Sequence, residues 1–367
     1  MRTTGQTVTW LETRPADGRT AVVAWTPGHG IRAATPEGFD VGTSIHAYGG
    51  GAYAHTSAGL VVVSSDDQRV YRVDEDGTAR PITPPSDDRY GDLWPLDGTT
   101  LLCVREHPGG PDELAVLPLD GSTSPHMVHR GHDFYAFPLP SPDGRRLAWV
   151  TWDDPNLPWD GSDLWVADLL GTGPDVHLGR ARHVAGGPDE SVTQPEWAPE
   201  GTLHFVSDRS GWWNLHRERD GQVEPLLPLE AEFADAPWEL DYSSYAFLPD
   251  GRIACRYRQH GLDHLSILDL ISGRLAPVPL PFTSIKPYLR VAGDRLAFIA
   301  ASPTTTPAVV TLDLSDRHVE VLAGADPGLH PGDISRPEPL QVPAGDGGTV
   351  HARYYPPTHH AVAGPPR

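Results

Sequence analysis

Only two of the 367 residues are cysteine, and a single lysine, Lys286, stands among the 28 basic residues. Cys103 and Cys255 sit in apolar, strand-like runs and read as buried free thiols. That excludes a disulfide scaffold and suits a reducing compartment. The first residues, MRTTGQTVTW, lack the apolar core of a secretory signal, so the reading is cytoplasmic. No apolar run approaches the roughly 20 residues of a membrane span. No stretch longer than 17 residues is free of both glycine and proline. Interior Gly and Pro cost about 1 and 3 kcal/mol per helical site, which excludes coiled coils, helical bundles and helical solenoids. Positive charge is scarce: 28 Lys+Arg against 49 Asp+Glu leave a formal net charge of −21. Such a surface repels phosphate backbones, so neither nucleic acid nor an anionic membrane is an expected partner.

Chemical motifs are also missing. There is no HEXXH, no paired CxxC, no P-loop and no G-x-G-x-x-G, and no metal or cofactor is expected. His359-His360 read as an exposed pair rather than a metal site. No G-x-S-x-G occurs: Ser44 lies in GTSIH, Ser57 in HTSAG and Ser210 in DRSGW, so no nucleophile elbow is present. Acidic pairs such as Asp153/Asp154 are too common in a loop-rich acidic chain to mark glycosidase chemistry.

What the chain does have is a repeat. A turn ending in Gly leads into a short alternating strand, a polar loop, a second strand and an Asp-containing turn. The clearest copy runs SPDGRRLAWVTW from Ser141, answered by DLWVADL from Asp163. Others follow Gly5, Gly59, Gly98, Gly201, Gly251 and Gly293, with anchors 39 to 57 residues apart. A period of ~45 residues with several short strands per unit is the pattern of a propeller blade. The expected fold is all-β: a seven-bladed propeller of four-stranded antiparallel blades, with six blades as the fallback. Innermost strands are expected at 50–56, 89–96, 133–139, 191–197, 243–248 and 285–291. Blade one shows no evident inner strand before Val8. Either the C-terminal part supplies it or the natural start is lacking.

Propeller topology sorts the loops onto two faces. The turns within hairpins one and three of each blade are bland: PDG, DEDG, LDG, RDG. The other face collects His46-Ala-Tyr48-Gly-Gly-Gly51, Arg89, Glu106-His107, Trp152 to Asp160, Asp208 to Asn214, and Glu232 to Trp238. Trp, Tyr and Arg with scattered carboxylates suit an interface or ligand face. His46, Tyr48, Trp152, Asp153, Trp159, Asp160, Trp212, Trp213 and Asn214 are its candidate domain-interface residues.

The phrases DFYAFPLPSPDGRRLAWVTWDDPNLPWDGSDLWVADL and ESVTQPEWAPEGTLHFVSDRSGWWNLHR resemble the propeller domain of prolyl-oligopeptidase-family serine peptidases. The acylaminoacyl-peptidase/dipeptidyl-aminopeptidase-like branch is the most similar. The likeness spans nearly all of 7–357. It implies a propeller at 1–333 that gates access to an α/β-hydrolase domain carrying a Ser-Asp-His triad. Residues 334–357 resemble the start of that hydrolase domain, and 358–367 read as a disordered tail. The resemblance implies a hydrolase domain, normally in the same chain, and a peptide substrate passing the propeller as partners. This chain without a triad is expected to be inactive. Family members also usually carry a segment ahead of the first blade, which is not evident here. A stand-alone TolB-like or WD40-like binding propeller is the alternative.

Two departures stand out. The family usually shows HEYGGG where this chain has His46-Ala47-Tyr48, and tends to show WDHPNMPWD where this chain has Asp154 and Leu157. Glu190 and Glu232, on links leading into blades five and six, are candidate substrate-binding residues for a free N-terminal ammonium. The competing reading has them bonding backbone N–H groups of a neighbouring blade.

Overall fold

The computed structural model describes residues 1–345 and 347–361. Among these the only helical pieces are three short 3-10 turns, at Ile45–Ala47, Gly173–Asp175 and Pro331–Asp333. Everything else regular is strand. Seven antiparallel sheets, each built from consecutive strands, form the blades of a propeller. Blade III shows why these segments form strands. Its middle strands Thr100–Glu106 and Glu113–Pro118 read TLLCVRE and ELAVLP and are buried on both faces over most of their length. A sheet with two apolar faces needs a neighbour on each side, and a closed ring supplies both. Cys103 and Cys255 are buried and free, as expected.

The inner strands fall where the repeat placed them: Tyr53–Thr56, Arg89–Pro95, Phe134–Pro140, Val192–Trp197 and Tyr245–Phe247. In blade VII the inner edge is split into Ser284–Ile285 and Arg290–Ala292. Blade I corrects the sequence reading, because its inner strand is Arg2–Thr4, paired with Thr7–Thr13. Among the described residues no C-terminal strand joins this sheet. The short, polar RTT segment carried no alternation to find. Ring closure between blades VII and I is by packing of Val8, Trp10, Val23 and Trp25 against Ala292, Ala297 and Val309.

A repeated bulge ties neighbouring blades. Gly51, Asp92, Phe137 and Gln194 all take positive φ at the inner strands of blades II to V. The register slips beside the last three. Such a bulge re-aims its side chain out of the ladder. Asp92 Oδ2 then accepts the Phe137 N–H at 2.6 Å, and Gln194 Oε1 accepts the Ser244 N–H at 2.6 Å. Each bond joins one blade to the next.

The tunnel wall is charged. Asp241 Oδ1 pairs with Arg290 at 2.8 Å and with Arg2 at 3.2 Å, and Arg2 stacks on Trp94 at 4.1 Å. Burial pushes the Asp92 carboxyl up to about 6 and the Glu196 carboxyl up to about 7.

Beyond blade VII, which ends at Gly324, Glu338–Pro343 and Thr349–Tyr354 form a separate two-stranded hairpin, exposed along its length. Residues 358–361 fold back on the preceding turn, where the Thr358 hydroxyl donates to Gly332 O at 2.8 Å and His360 N to Asp333 Oδ1 at 2.7 Å. The rest of the expected tail, 362–367, lies outside the described residues.

Glu196 generates a pH prediction. Its folded pKa lies above its unfolded value, so the native state loses stability as pH rises from the ordinary glutamate range to about 7. Glu196→Gln should therefore raise the unfolding temperature at pH 8, by the equivalent of about 1–3 kcal/mol, and leave it nearly unchanged at pH 5. Thermal melts of both proteins at the two pH values check this; an equal gain at both would rule out the ionisation account.

Candidate functional site

The aromatic and acidic loops do converge on one face, around a cavity of about 430 Å³. Four loop segments build most of it: 46–48 from the link into blade II, 106–112 from the middle loop of blade III, 152–159 from the middle loop of blade IV, and 237–240 from the link into blade VI, with Arg89 and Phe134 added from inner strands. Phe134 and Trp152 stack with ring centroids 5.3 Å apart and planes at 9°. Trp238 packs against Trp159 at 4.5 Å and against Tyr48 at 4.9 Å.

His46 is the hinge of this wall. Its ring meets Phe134 and Trp152 edge-on, and its Nε2 lies 2.5 Å from Asp112 Oδ2. Its backbone N–H donates to Glu106 Oε2 at 2.7 Å, and Arg89 pairs with Glu106 at 2.6 Å. Burial pushes the Asp112 carboxyl above the ordinary carboxylate range, against the downward pull of His46. His46 and Ala47 both take positive φ, 50° and 66°. Consecutive non-glycine residues there store backbone strain, which the surrounding contacts must hold.

The three glycines that follow have a steric cause. Gly50 forms a parallel bridge with Leu240, and Leu240 N donates to Gly49 O at 2.9 Å. On the other edge, Asp92 N and Leu93 N donate to Gly50 O and Gly51 O at 3.3 and 3.1 Å. A Cβ on Gly50 would collide with the Leu240 backbone, and one on Gly51 with Asp92. Links entering blades II and VI, nearly opposite each other in the ring, thus meet. Backbone spans the mouth of the tunnel on this face.

The other expected interface residues divide. Trp212 is 39% exposed, Trp159 and Trp213 are half-buried, and Trp152 is buried in the pocket wall. Asp153 accepts from Asp133 N and pairs with His132, and Asp160 accepts Leu157 N, so both shape the 152–160 loop. Asn214 is inside the protein at 1% exposure, bonded to Leu229 and Ala231. It offers no surface to a partner.

Glu190 and Glu232 do not line the cavity. Glu190 Oε1 accepts from Ser207 Oγ at 2.6 Å and pairs with Arg209 at 2.8 Å. Glu232 Oε2 accepts the Trp213 N–H at 2.8 Å, and burial raises its pKa. The two departures noted in the sequence do meet: Ala47 and Asp154 line the same cavity. Sequence reasoning missed Asp112. Its acidic loop resembles many others, and only the fold sets it against His46. Elsewhere, His330, Asp333 and His360 bring ligand-type atoms within 4.8 Å of one another; among the described residues this is the one such group.

A seven-bladed propeller with an aromatic, carboxylate-bearing pocket on its link face is the class this structure defines. No protein-family model matches the chain, and no curated protein is similar to it in sequence. Solved structures are. A puromycin hydrolase in complex with PGG is 33% identical with a TM-score of 0.90, over 98% of this chain and 58% of that one. A puromycin-hydrolyzing peptidase of Mycobacterium tuberculosis is 33% identical with a TM-score of 0.90, over 99% of this chain and 59% of that one. A prolyl endopeptidase at 16% identity and a TM-score of 0.66, matched over 95% of this chain and 51% of that one, shares the fold. The chain matches the N-terminal propeller domain of prolyl-oligopeptidase-family peptidases, and it spans less than three-fifths of the length of these relatives.

The glycine bridge can be tested directly. Gly50→Ala should destabilise the protein by about 2–4 kcal/mol, because both a strained φ and a backbone collision are forced. Gly28→Ala, at positive φ with nothing nearby, should cost only about 1–2 kcal/mol. Urea unfolding followed by tryptophan fluorescence gives both values, and similar losses would mean that the bridge adds nothing.

Proposed function

We propose that this propeller is the non-catalytic docking and gating domain of a serine exopeptidase or oligopeptidase, of the acylaminoacyl-peptidase/dipeptidyl-aminopeptidase-like branch. The observation that carries this is the match at 33% identity and a TM-score of 0.90 to the propeller portion of a puromycin hydrolase. The α/β-hydrolase domain sits over the link face, and the pocket forms part of the cavity between the two. Small peptides and aromatic aminoacyl amides such as puromycin are the substrates; folded proteins are excluded by size. Catalysis belongs to the hydrolase domain, since no stretch of this sequence has the G-x-S-x-G pattern that seats a nucleophile and its oxyanion donors. The cytoplasm is the setting.

Substrates enter this cavity from the rim of the ring rather than along its axis. Backbone paired at Gly50 and Leu240 would have to part for axial passage. Glu190 and Glu232 hold Arg209 and the Trp213 backbone beside the docking surface. They retain a part in receiving a substrate ammonium only if a ligand displaces those partners. The hairpin 338–354 docks with the same domain. Cross-strand pairing puts Leu340, Val342, Val350, Ala352 and Tyr354 on one of its faces, and that face is exposed in this chain. An isolated two-stranded hairpin is marginal in water, so a covering partner explains it.

Joining the chain to a hydrolase domain and comparing amide hydrogen exchange with the chain alone tests the arrangement. Protection should appear at 46–48, 152–159, 212–213 and 338–354, while the Asp143-Gly144 and Asp250-Gly251 turns stay unchanged. Protection at those turns instead would overturn the assigned face.

A further inference from the structure

We propose that His330, Asp333 and His360 form a binding site for a divalent ion of the Zn²⁺ class, and that the bound ion clamps the base of the exposed hairpin. None of the three lines the link-face cavity, and the site stands whatever domain covers that face.

Two segments that flank the hairpin build the site. His330 and Asp333 stand at the Pro331–Asp333 turn before it, and His360 in the stretch after it. The Asp333 carboxylate faces His360 Nδ1 with both oxygens, at 2.9 and 3.0 Å. Two ligands of one tetrahedral ion, with bonds of about 2.0–2.2 Å, lie about 3.3–3.6 Å apart. These atoms are therefore already close to a ligand-to-ligand spacing. His330 completes the group: ligand-type atoms of all three residues lie within 4.8 Å of one another, and the His330 and His360 ring centroids are 4.3 Å apart. His330 is exposed, so its ring can close the remaining gap. The cost is the bond that its Nδ1 accepts from Gly332 N at 3.1 Å, and water can serve that amide instead.

Two imidazoles and a carboxylate suit Zn²⁺, with water in the fourth position, whereas Ca²⁺ and Mg²⁺ select oxygen ligands. The ion replaces the proton between Asp333 and His360 Nδ1, and the neutral ring keeps its hydrogen on Nε2. The formal charge of −21 favours cations at the surface. Other histidine–carboxylate contacts, such as His132–Asp153 and His183–Asp163, are single pairs. His359, the sequence neighbour, stacks on His360 at 5.0 Å, but its Nδ1 accepts from Ala361 N. It stands outside the ligand set. Hydrogen bonds at the hairpin's neck run from Ser335 Oγ to Pro356 O, from Thr358 Oγ1 to Gly332 O and from His360 N to Asp333 Oδ1. Such bonds are worth only about 0.5–1.5 kcal/mol each, more where charge assists. An ion joining the same two segments closes the same loop and removes freedom from a hairpin that is marginal alone.

Calorimetric titration of the whole chain with zinc chloride tests this, with calcium and magnesium chloride as the other probes. Zn²⁺ should bind one saturable site at micromolar concentration, and neither other ion should match it. His330→Ala, Asp333→Asn and His360→Ala should each weaken zinc at least tenfold, while His359→Ala and His183→Ala should stay within threefold. Zinc should also slow amide exchange in Glu338–Pro343 and Thr349–Tyr354 at least tenfold, and His360→Ala should abolish the slowing. The ligands lie beyond the last strand of blade VII, which ends at Gly324, and metal-free thermal melts would verify that the variants keep their blades. No binding at millimolar zinc, binding that survives the three ligand substitutions, a tenfold loss in His359→Ala, equal binding of Ca²⁺, or hairpin exchange that ignores bound zinc would each overturn the proposal. Slowing by zinc in the chain alone needs no hydrolase domain, so this result is distinguishable from the exchange pattern that domain docking produces.

Discussion

Gly50 and Leu240 lie on links that enter nearly opposite blades, and their backbones pair over the tunnel. Most of the link face depends on that contact. It holds 46–48 against 237–240, where Tyr48 packs on Trp238, and both segments line the cavity. Only residues without a Cβ allow the approach. The strained His46-Ala47 turn lies in the same link, just before the glycines. The His46–Asp112 and Glu106 contacts oppose that strain.

The ring beneath has a different economy of forces. Apolar burial between blades is strong but non-directional, and it does not by itself set the rotation of one blade against the next. The bulged residues supply direction. Asp92 and Gln194 reach from one inner strand to a backbone N–H of the next. The buried Asp241 with Arg2 and Arg290 does the same around blades I, VI and VII. Buried ion pairs are weak evidence for stability, because desolvation offsets much of their attraction. Their value here is registry.

The repeat was legible because blades are local: each sheet uses consecutive strands, so Gly-anchored hairpins such as Pro142-Asp143-Gly144 can be read in order. The face was legible for the same reason, since the order of strands dictates which loops share a side. Blade I's inner strand was not, because Arg2–Thr4 is too short and polar to show a period. Individual side chains were harder still. Asn214 sits in the Asp208–Asn214 phrase that reads as surface, yet its amide bonds three backbone groups inside the protein. Trp152 and Trp212 look equivalent in sequence, but one is a pocket wall and the other is exposed. Strand phase decides such cases, and it shifts wherever a bulge intervenes.

The pairing across the mouth also bears on how a propeller can gate. A sieve along the axis would need its opening to breathe, and here the opening is held by hydrogen bonds from two links and an inner strand. Separating them breaks several backbone bonds at once and exposes Leu240, which is buried at 4%. The 152–160 loop, which also lines the cavity, is closed by Leu157 N to Asp160 and tied to other segments by Asp154 N to Asp133 and Asn156 to Pro188 O. The links that pair across the ring are thus the same links that line the cavity, so the two features cannot be altered separately.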